Sequence, residues 1–116
     1  MQFDVKNFEV TAGKKVKIVF KNSGKLPKIA MGHNLVILKK GVSAIAFGQK
    51  ALGAGANAVN PLPDSIKDDV IASTKLLGPG EEEVISFTAP KEKGSYEYVC
   101  TFPGHFAMMR GTMTVK

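Results

Sequence analysis

Three side chains with soft donor atoms lie close together within residues 100–109. Cys100 supplies a thiol, His105 an imidazole and Met109 a thioether, and Cys100 is the only cysteine of the sequence. The sequence has two histidines, and the second, His33, lies far upstream of this group. Two imidazoles and one thiolate in a trigonal arrangement, with a weak axial thioether, are the ligand set of a blue-copper electron-transfer centre. These residue types therefore predict a copper site built from His33, Cys100, His105 and Met109.

The short spacing between Cys100 and His105 requires a sharp turn. Five extended residues would separate them by roughly 17 Å, whereas two ligands of one metal lie within roughly 4 Å of each other. Pro103 and Gly104 stand between the two. This pair favours a turn, because proline fixes its φ and glycine accepts φ angles that other residues avoid. A strand-like segment, 95–99, comes directly before the cysteine, so we predict a strand that leads into a metal-binding loop.

Each donor also has an ordinary explanation. A lone cysteine is usually a small buried apolar residue, and methionine commonly fills gaps in a core. A histidine and a methionine four residues apart can share one face of a helix. The clustering of three donor types around one turn favours the metal site over these separate explanations.

Three other functions fit part of the donor set. Cys100 activated by His105 would be the nucleophile of a hydrolase or transferase, but the sequence offers no evident third group to orient the imidazole. A copper carrier or chaperone would bind Cu(I) through soft ligands in an exposed, exchangeable site. A structural zinc site could use one cysteine and two histidines, although methionine is a poor zinc ligand. No histidine remains for a second copper that binds oxygen or nitrite, so we expect an electron carrier and not an enzyme.

The apolar pattern along the rest of the chain has mostly a period of two, which indicates half-buried strands. It is clearest in segments 3–5, 16–20 and 112–115. Glycine-containing turn signals separate such segments at residues 12–13, 23–24, 78–80, 93–94 and 103–104. We therefore predict one all-β domain over residues 1–116, an antiparallel Greek-key β-sandwich or barrel.

Residues 44–60 depart from the strand pattern. They are rich in alanine and glycine and precede Pro61, Pro63 and the candidate N-caps Asp64 and Ser65. We predict a short helical flap here, outside the sandwich.

Several segments of the chain resemble azurins, which are bacterial blue-copper proteins of the cupredoxin family. The resemblance is carried by residues 31–34 (MGHN), 70–78 (VIASTKLLG), 100–105 (CTFPGH) and 109–114 (MRGTMT). It implies His33, Cys100 and His105 as strong ligands, Met109 as the axial ligand and the carbonyl of Gly32 as a distant axial neighbour. It also implies that the backbone amides of Asn34 and Phe102 donate to the cysteine sulfur and tune the metal.

Three features depart from the azurin pattern. The chain begins later than azurins do, and with one cysteine it cannot form their disulfide. Leu35 replaces the usual tryptophan after the first histidine, and Ser73 replaces a further histidine. A pH switch at position 73 is therefore not expected.

Apolar residues and charge indicate the partners. The resemblance implies that Leu26, Met31 and Phe102 face a partner, and Pro103, Phe106 and Met108 could complete an apolar docking patch around an exposed edge of His105. The net charge is +6, and residues 1–58 carry ten basic against two acidic residues. We expect redox partners such as a cytochrome or a copper reductase with an acidic surface, and no nucleic acid.

Location and assembly are expectations of the same resemblance. Azurin-like proteins act in the bacterial periplasm, and no apolar run approaches the roughly 20 residues that cross a bilayer. No signal-peptide pattern opens the sequence. We expect a periplasmic monomer without a membrane span.

Overall fold

The computed structural model describes residues 2–116, and its regular elements are mostly short strands. The strands are β1 (Asn7–Val10), β2 (Lys15–Lys21), β3 (Val36–Leu38), β4 (Val70–Ser73), β5 (Glu82–Thr88), β6 (Gly94–Val99) and β7 (Arg110–Val115). The helices are α1 (Lys28–Met31), α2 (Ala44–Gly53) and a 3-10 turn at Asp64–Asp69.

The strands form two sheets. One has five strands in the order β1-β7-β6-β3-β4, and the other pairs β2 with β5 from Lys15↔Thr88 to Lys21↔Glu82. Strands distant in sequence are therefore neighbours, and the predicted all-β sandwich is confirmed. The expectation of a wholly antiparallel arrangement is wrong for one pair, because β1 runs parallel to β7. These two strands are not joined by a hairpin, so no tight turn forces opposite directions.

The first predicted strand is also wrong. Residues 3–5 are not in a strand, and β1 begins at Asn7. Phe3 is nevertheless buried, with its ring against Phe20 and Tyr98 at centroid distances of 5.8 and 5.4 Å. The apolar alternation here reflects the burial of a side chain, without the hydrogen bonds of a strand.

The helical flap is confirmed within residues 44–60. Helix α2 occupies Ala44–Gly53, and the Ser43 hydroxyl caps it by accepting a hydrogen bond from the Ala46 N–H at 3.3 Å. Asp64 and Ser65 are not N-caps. The 3-10 turn starts at Asp64, with Pro63 at the cap position and no side-chain cap.

The burial of β3 on both faces explains why residues 35–38 are all apolar. Leu35 and Ile37 face the core between the sheets, whereas Val36 and Leu38 face a second cluster under α2. A strand buried on both faces needs apolar residues at every position. His33 lies just before the start of this buried strand.

Between residues 2 and 116, no helix is long and apolar enough to cross a membrane.

Candidate metal centre

The first histidine is held by a bridge just before β3. The His33 N–H donates to the Leu77 carbonyl at 3.1 Å, and the Leu77 N–H donates to the His33 carbonyl at 2.7 Å. The neighbouring Gly32 is buried in a tight place, because a Cβ there would lie 2.8 Å from the Lys28 carbonyl oxygen. A side chain at position 32 would therefore clash with the backbone of α1.

The loop after β6 closes on itself through backbone hydrogen bonds. The Cys100 N–H donates to the Met109 carbonyl at 2.9 Å, the His105 N–H to the Phe102 carbonyl at 2.9 Å and the Met109 N–H to the His105 carbonyl at 2.8 Å. Gly104 has φ +87°, which other residues adopt rarely. The turn predicted from Pro103 and Gly104 thus brings Cys100, His105 and Met109 to one end of the sandwich.

The donor atoms of His33, Cys100 and His105 converge. One ligand atom from each lies within 4.8 Å of the others, and Cys100 Sγ lies 3.7 Å from His105 Nδ1. His33 Nδ1 is buried without a hydrogen-bond partner among the described residues. A buried polar atom normally has a partner, so this nitrogen without a partner, on a ring that shares the cluster with a thiol and a second imidazole, fits a metal ion.

Burial holds the three donors in their uncharged forms when no metal is present. It raises the pKa of the Cys100 thiol to about 11, against the lowering effect of the Asn34 and Phe102 backbone N–H groups. It lowers the pKa of His105 to about 4, with a further contribution from His33, and it lowers the pKa of His33 as well. Neutral imidazole is the form that ligates a metal, and a metal cation displaces the thiol proton.

Met109 lies next to these donors. It is 2 % exposed and belongs to the same core cluster as Cys100 and Phe102. Its backbone bonds to both Cys100 and His105 hold it at the end of the loop. The Met109 side chain is thus kept away from water.

Two residues that the sequence did not single out support the ligands. Thr101 makes two buried hydrogen bonds with Asn34: its N–H donates to Asn34 Oδ1 at 2.8 Å, and its hydroxyl accepts from Asn34 Nδ2 at 3.0 Å. The Thr74 hydroxyl accepts from the Leu35 N–H at 3.0 Å. In the sequence, the one indication of a supporting role for Thr101 is that it directly follows Cys100.

The apolar residues expected to dock a partner are exposed to different extents. Leu26 and Met108 are 54 and 55 % exposed, and Met31, Pro103 and Phe106 are partly exposed. Phe102 does not belong to this outer group. It is buried in the core, where its ring packs on His105 at a centroid distance of 4.6 Å.

His105 exposes much less of its ring than the sequence analysis expects. The residue is only 4 % exposed, because its ring lies between Phe102 and His33. Any electron path through this ring reaches the surface over a small area.

The chain is similar to copper proteins over nearly all of its length. The family described as copper binding proteins, plastocyanin/azurin family, matches residues 1–116. Azurin of Pseudomonas fluorescens biotype C is 39% identical over 120 residues, which cover 100% of this chain and 91% of that protein. Auracyanin A, a "blue" copper protein of Chloroflexus aurantiacus, superposes with a TM-score of 0.80 at 35% identity, over 99% of this chain and 89% of that one.

A longer relative is also similar. Outer membrane protein H.8 of Neisseria gonorrhoeae is 40% identical over 119 residues, and the chain spans 62% of its length. The chain thus spans less than two thirds of that protein. With a family match over its whole length and three convergent donors at its site, the chain belongs to the plastocyanin/azurin family of copper-binding proteins.

Proposed function

We propose that this domain is a type 1, or blue, copper protein that carries single electrons between redox proteins. One observation carries the proposal: His33, Cys100 and His105 place one donor atom each within 4.8 Å of the others in a buried site. This set of two imidazoles and one thiol, beside a thioether, is what such a centre uses.

The proposed ligand roles rest on the donor types and on the resemblance to azurins, and the convergence of His33, Cys100 and His105 supports them. Bound copper supplies a Cu(II)/Cu(I) couple. His33 and His105 offer neutral imidazoles, and Cys100 binds as the thiolate after losing its proton. Met109 would be the weak axial ligand, and the carbonyl of Gly32 would be a more distant neighbour.

The frame around the donors suits an electron carrier better than an enzyme. Cys100 and Met109 are almost fully buried, and the ligand loop is closed by its own backbone hydrogen bonds. Ligands held in this way move little when a metal changes oxidation state, and their burial denies substrate an open position. The same burial opposes rapid metal exchange, so nothing favours a copper chaperone.

The Asn34 and Phe102 amides have a proposed tuning role. Hydrogen bonds from backbone N–H groups stabilise the sulfur as a thiolate, and outer hydrogen bonds of this kind tune a metal centre. Their effect on the Cys100 pKa has the direction that this role requires.

Electrons would enter and leave near His105. The docking patch is proposed to consist of Leu26, Met31, Pro103, Phe106 and Met108. A small apolar contact of this kind suits short-lived docking. Among nearby basic residues, Lys28 lies 3.8 Å from the Glu81 carboxylate, which leaves Lys25 and Arg110 as the better candidates for steering an acidic partner such as a cytochrome or a copper reductase.

A periplasmic location and a monomeric state complete the proposal. Both come from the resemblance to azurins.

The function is tested by redox cycling of the copper-loaded protein. One equivalent of Cu(II) is added, followed by a reductant and then an oxidant, while visible absorption is recorded. Reversible loss and return of a blue colour with one electron per protein is expected. A Cys100→Ser variant should stay colourless, and a wild-type protein that binds copper but cannot be cycled would contradict the proposal.

A further inference from the structure

Phe106, which directly follows the proposed ligand His105, is seated against helix α2. A Cβ at Gly48 would lie 2.6 Å from Phe106 Cδ2 and closer still to its Cβ and Cγ atoms, whereas non-bonded carbon atoms prefer roughly 3.5–4.0 Å. The Phe106 side chain therefore occupies the space in which any other residue at position 48 would place its Cβ. It packs there against the buried cluster under α2, which includes Phe47 and Leu62.

Helix α2 is itself fixed to the sandwich. Ala44, Phe47 and Ala51 are almost fully buried, and their spacing puts them on one face of the helix. At the first residue of α2, the Ala44 N–H donates to the Glu97 carboxylate of β6 at 2.8 Å. The helix is thus attached to the strand that leads into Cys100, and it forms a fixed wall for the ligand loop.

The ligand loop is anchored on its other side in the core between the sheets. Phe102 belongs to that core cluster, and the centroid of its ring lies 4.6 Å from that of the His105 ring. His105 therefore lies between two aromatic anchors, Phe102 in one cluster and Phe106 against the other. The backbone hydrogen bonds of His105 fix its main chain at the N–H and the carbonyl, and packing must hold the rest.

We infer that Phe106, seated on Gly48, is a positioning residue for His105. The inference rests on the proposed function, in which His105 is a copper ligand. Residues 105 and 106 share one peptide plane, so a displaced Phe106 turns the main chain of His105 and moves its imidazole away from Cys100 and His33. Helix α2, which supplies no ligand, thereby belongs to the frame that holds the metal.

The rate of copper release reports this role. Transfer of Cu(I) from the loaded protein to bathocuproine disulfonate, followed by absorption, gives a first-order rate constant. Gly48→Ala should raise this constant at least fivefold, because the added Cβ expels Phe106 from its seat. Gly53→Ala is the matched control on the same helix, where a Cβ would meet no atom within 4 Å, and it should leave the constant unchanged.

A double-mutant cycle isolates the contact. Phe106→Ala should raise the release rate as Gly48→Ala does, and Gly48→Ala should add nothing in the Phe106→Ala background, because the ring that it displaces is already gone. Independent, multiplicative effects of the two substitutions would overturn the inference.

Ile85→Ala separates positioning from a general loss of stability. Ile85 is a buried residue of β5, in the two-stranded sheet away from the ligand loop. Its truncation should lower the midpoint of thermal denaturation and leave the release rate unchanged. A rise in the rate equal to that of Gly48→Ala would show that stability alone controls copper release, and would overturn the inference.

Nuclear magnetic resonance of the copper-free protein gives a readout that does not need the metal. The chain has two histidines, so few imidazole ring signals are present to assign. The His105 ring signals should shift or broaden in Gly48→Ala and stay unchanged in Gly53→Ala. Unchanged His105 signals in Gly48→Ala would overturn the inference. A wild-type protein that binds no copper would contradict the proposed function instead, and the ring signals would still decide whether Phe106 positions His105.

Discussion

Asn34 and Thr101 join the two segments that carry the metal donors. Thr101 follows Cys100 and Asn34 follows His33, and their two hydrogen bonds of 2.8 and 3.0 Å are both buried. The histidine before β3 and the cysteine after β6 are therefore fixed relative to each other without any metal.

Asn34→Ala removes both hydrogen bonds and leaves the Thr101 N–H buried without a partner. We expect the free energy of unfolding of the copper-free protein to fall by about 2 to 3 kcal/mol. Urea denaturation measures this change. Thr101→Val is the partial variant, since it keeps the backbone bond to Asn34 Oδ1, and it should cost less. If Thr101→Val lowered the free energy of unfolding as much as Asn34→Ala does, the hydrogen bond from the Thr101 N–H to Asn34 Oδ1 would not contribute to stability.

Two glycines of helix α2 should respond to alanine in opposite directions. A Cβ at Gly48 would lie 2.1 Å from Phe106 Cγ, whereas a Cβ at Gly53 would have no neighbour within 4 Å. Gly48→Ala must displace Phe106 from the helix, at a cost of about 1 to 3 kcal/mol.

Gly53→Ala should instead stabilise the protein by about 0.5 to 1 kcal/mol, because alanine loses less backbone entropy in a helix. Thermal denaturation of both variants gives the comparison. A Gly48→Ala protein as stable as Gly53→Ala would show that Phe106 does not pack on α2 in solution.

Tyr98 should make the protein less stable at alkaline pH. Its hydroxyl donates to the Val5 carbonyl at 2.6 Å, and burial raises its pKa to about 12 from an ordinary value of 10.0. The unfolded chain therefore releases this proton first. The stabilisation is complete below pH 10 and is lost as pH rises toward 12.

Tyr98→Phe removes this titration at the cost of one hydrogen bond, about 1 kcal/mol. The free energy of unfolding should then fall less steeply between pH 10 and 12 than in the wild type, with a remaining slope from Tyr96, whose pKa burial also raises. Identical slopes in the two proteins would show that Tyr98 ionises normally in the fold.

Met109→Leu tests the axial assignment. Leucine preserves the volume of the side chain but removes the sulfur, so the blue colour should remain while the reduction potential rises, because the thioether no longer stabilises Cu(II). Spectroelectrochemistry measures both. A colourless Met109→Leu protein would mean that Met109 is a required ligand and not a weak axial one.

The features predicted well from sequence depend on strong local signals. Pro103 and Gly104 mark the turn, and Gly104 indeed has a positive φ. The run 35–38 has no polar residue because both faces of β3 are buried. Helix α2 forms within the predicted flap despite its glycines, since a buried face with Phe47 outweighs their low helix propensity.

The features that sequence could not give depend on contacts between distant segments. Phe3 is buried by Phe20 and Tyr98 without joining a strand. Phe102 lies under the His105 ring and not on the surface, and alternation along a loop does not show which side faces water. The role of Thr101 depends on Asn34, which lies 67 positions away.

The most direct test of the central claim is to add one equivalent of Cu(II) to the purified protein and record its visible absorption and electron paramagnetic resonance spectra. An intense blue band together with a narrow copper hyperfine splitting is predicted for a thiolate and two imidazoles on one copper ion. A colourless protein, or one with the wide splitting of ordinary Cu(II) complexes, would contradict the proposed centre.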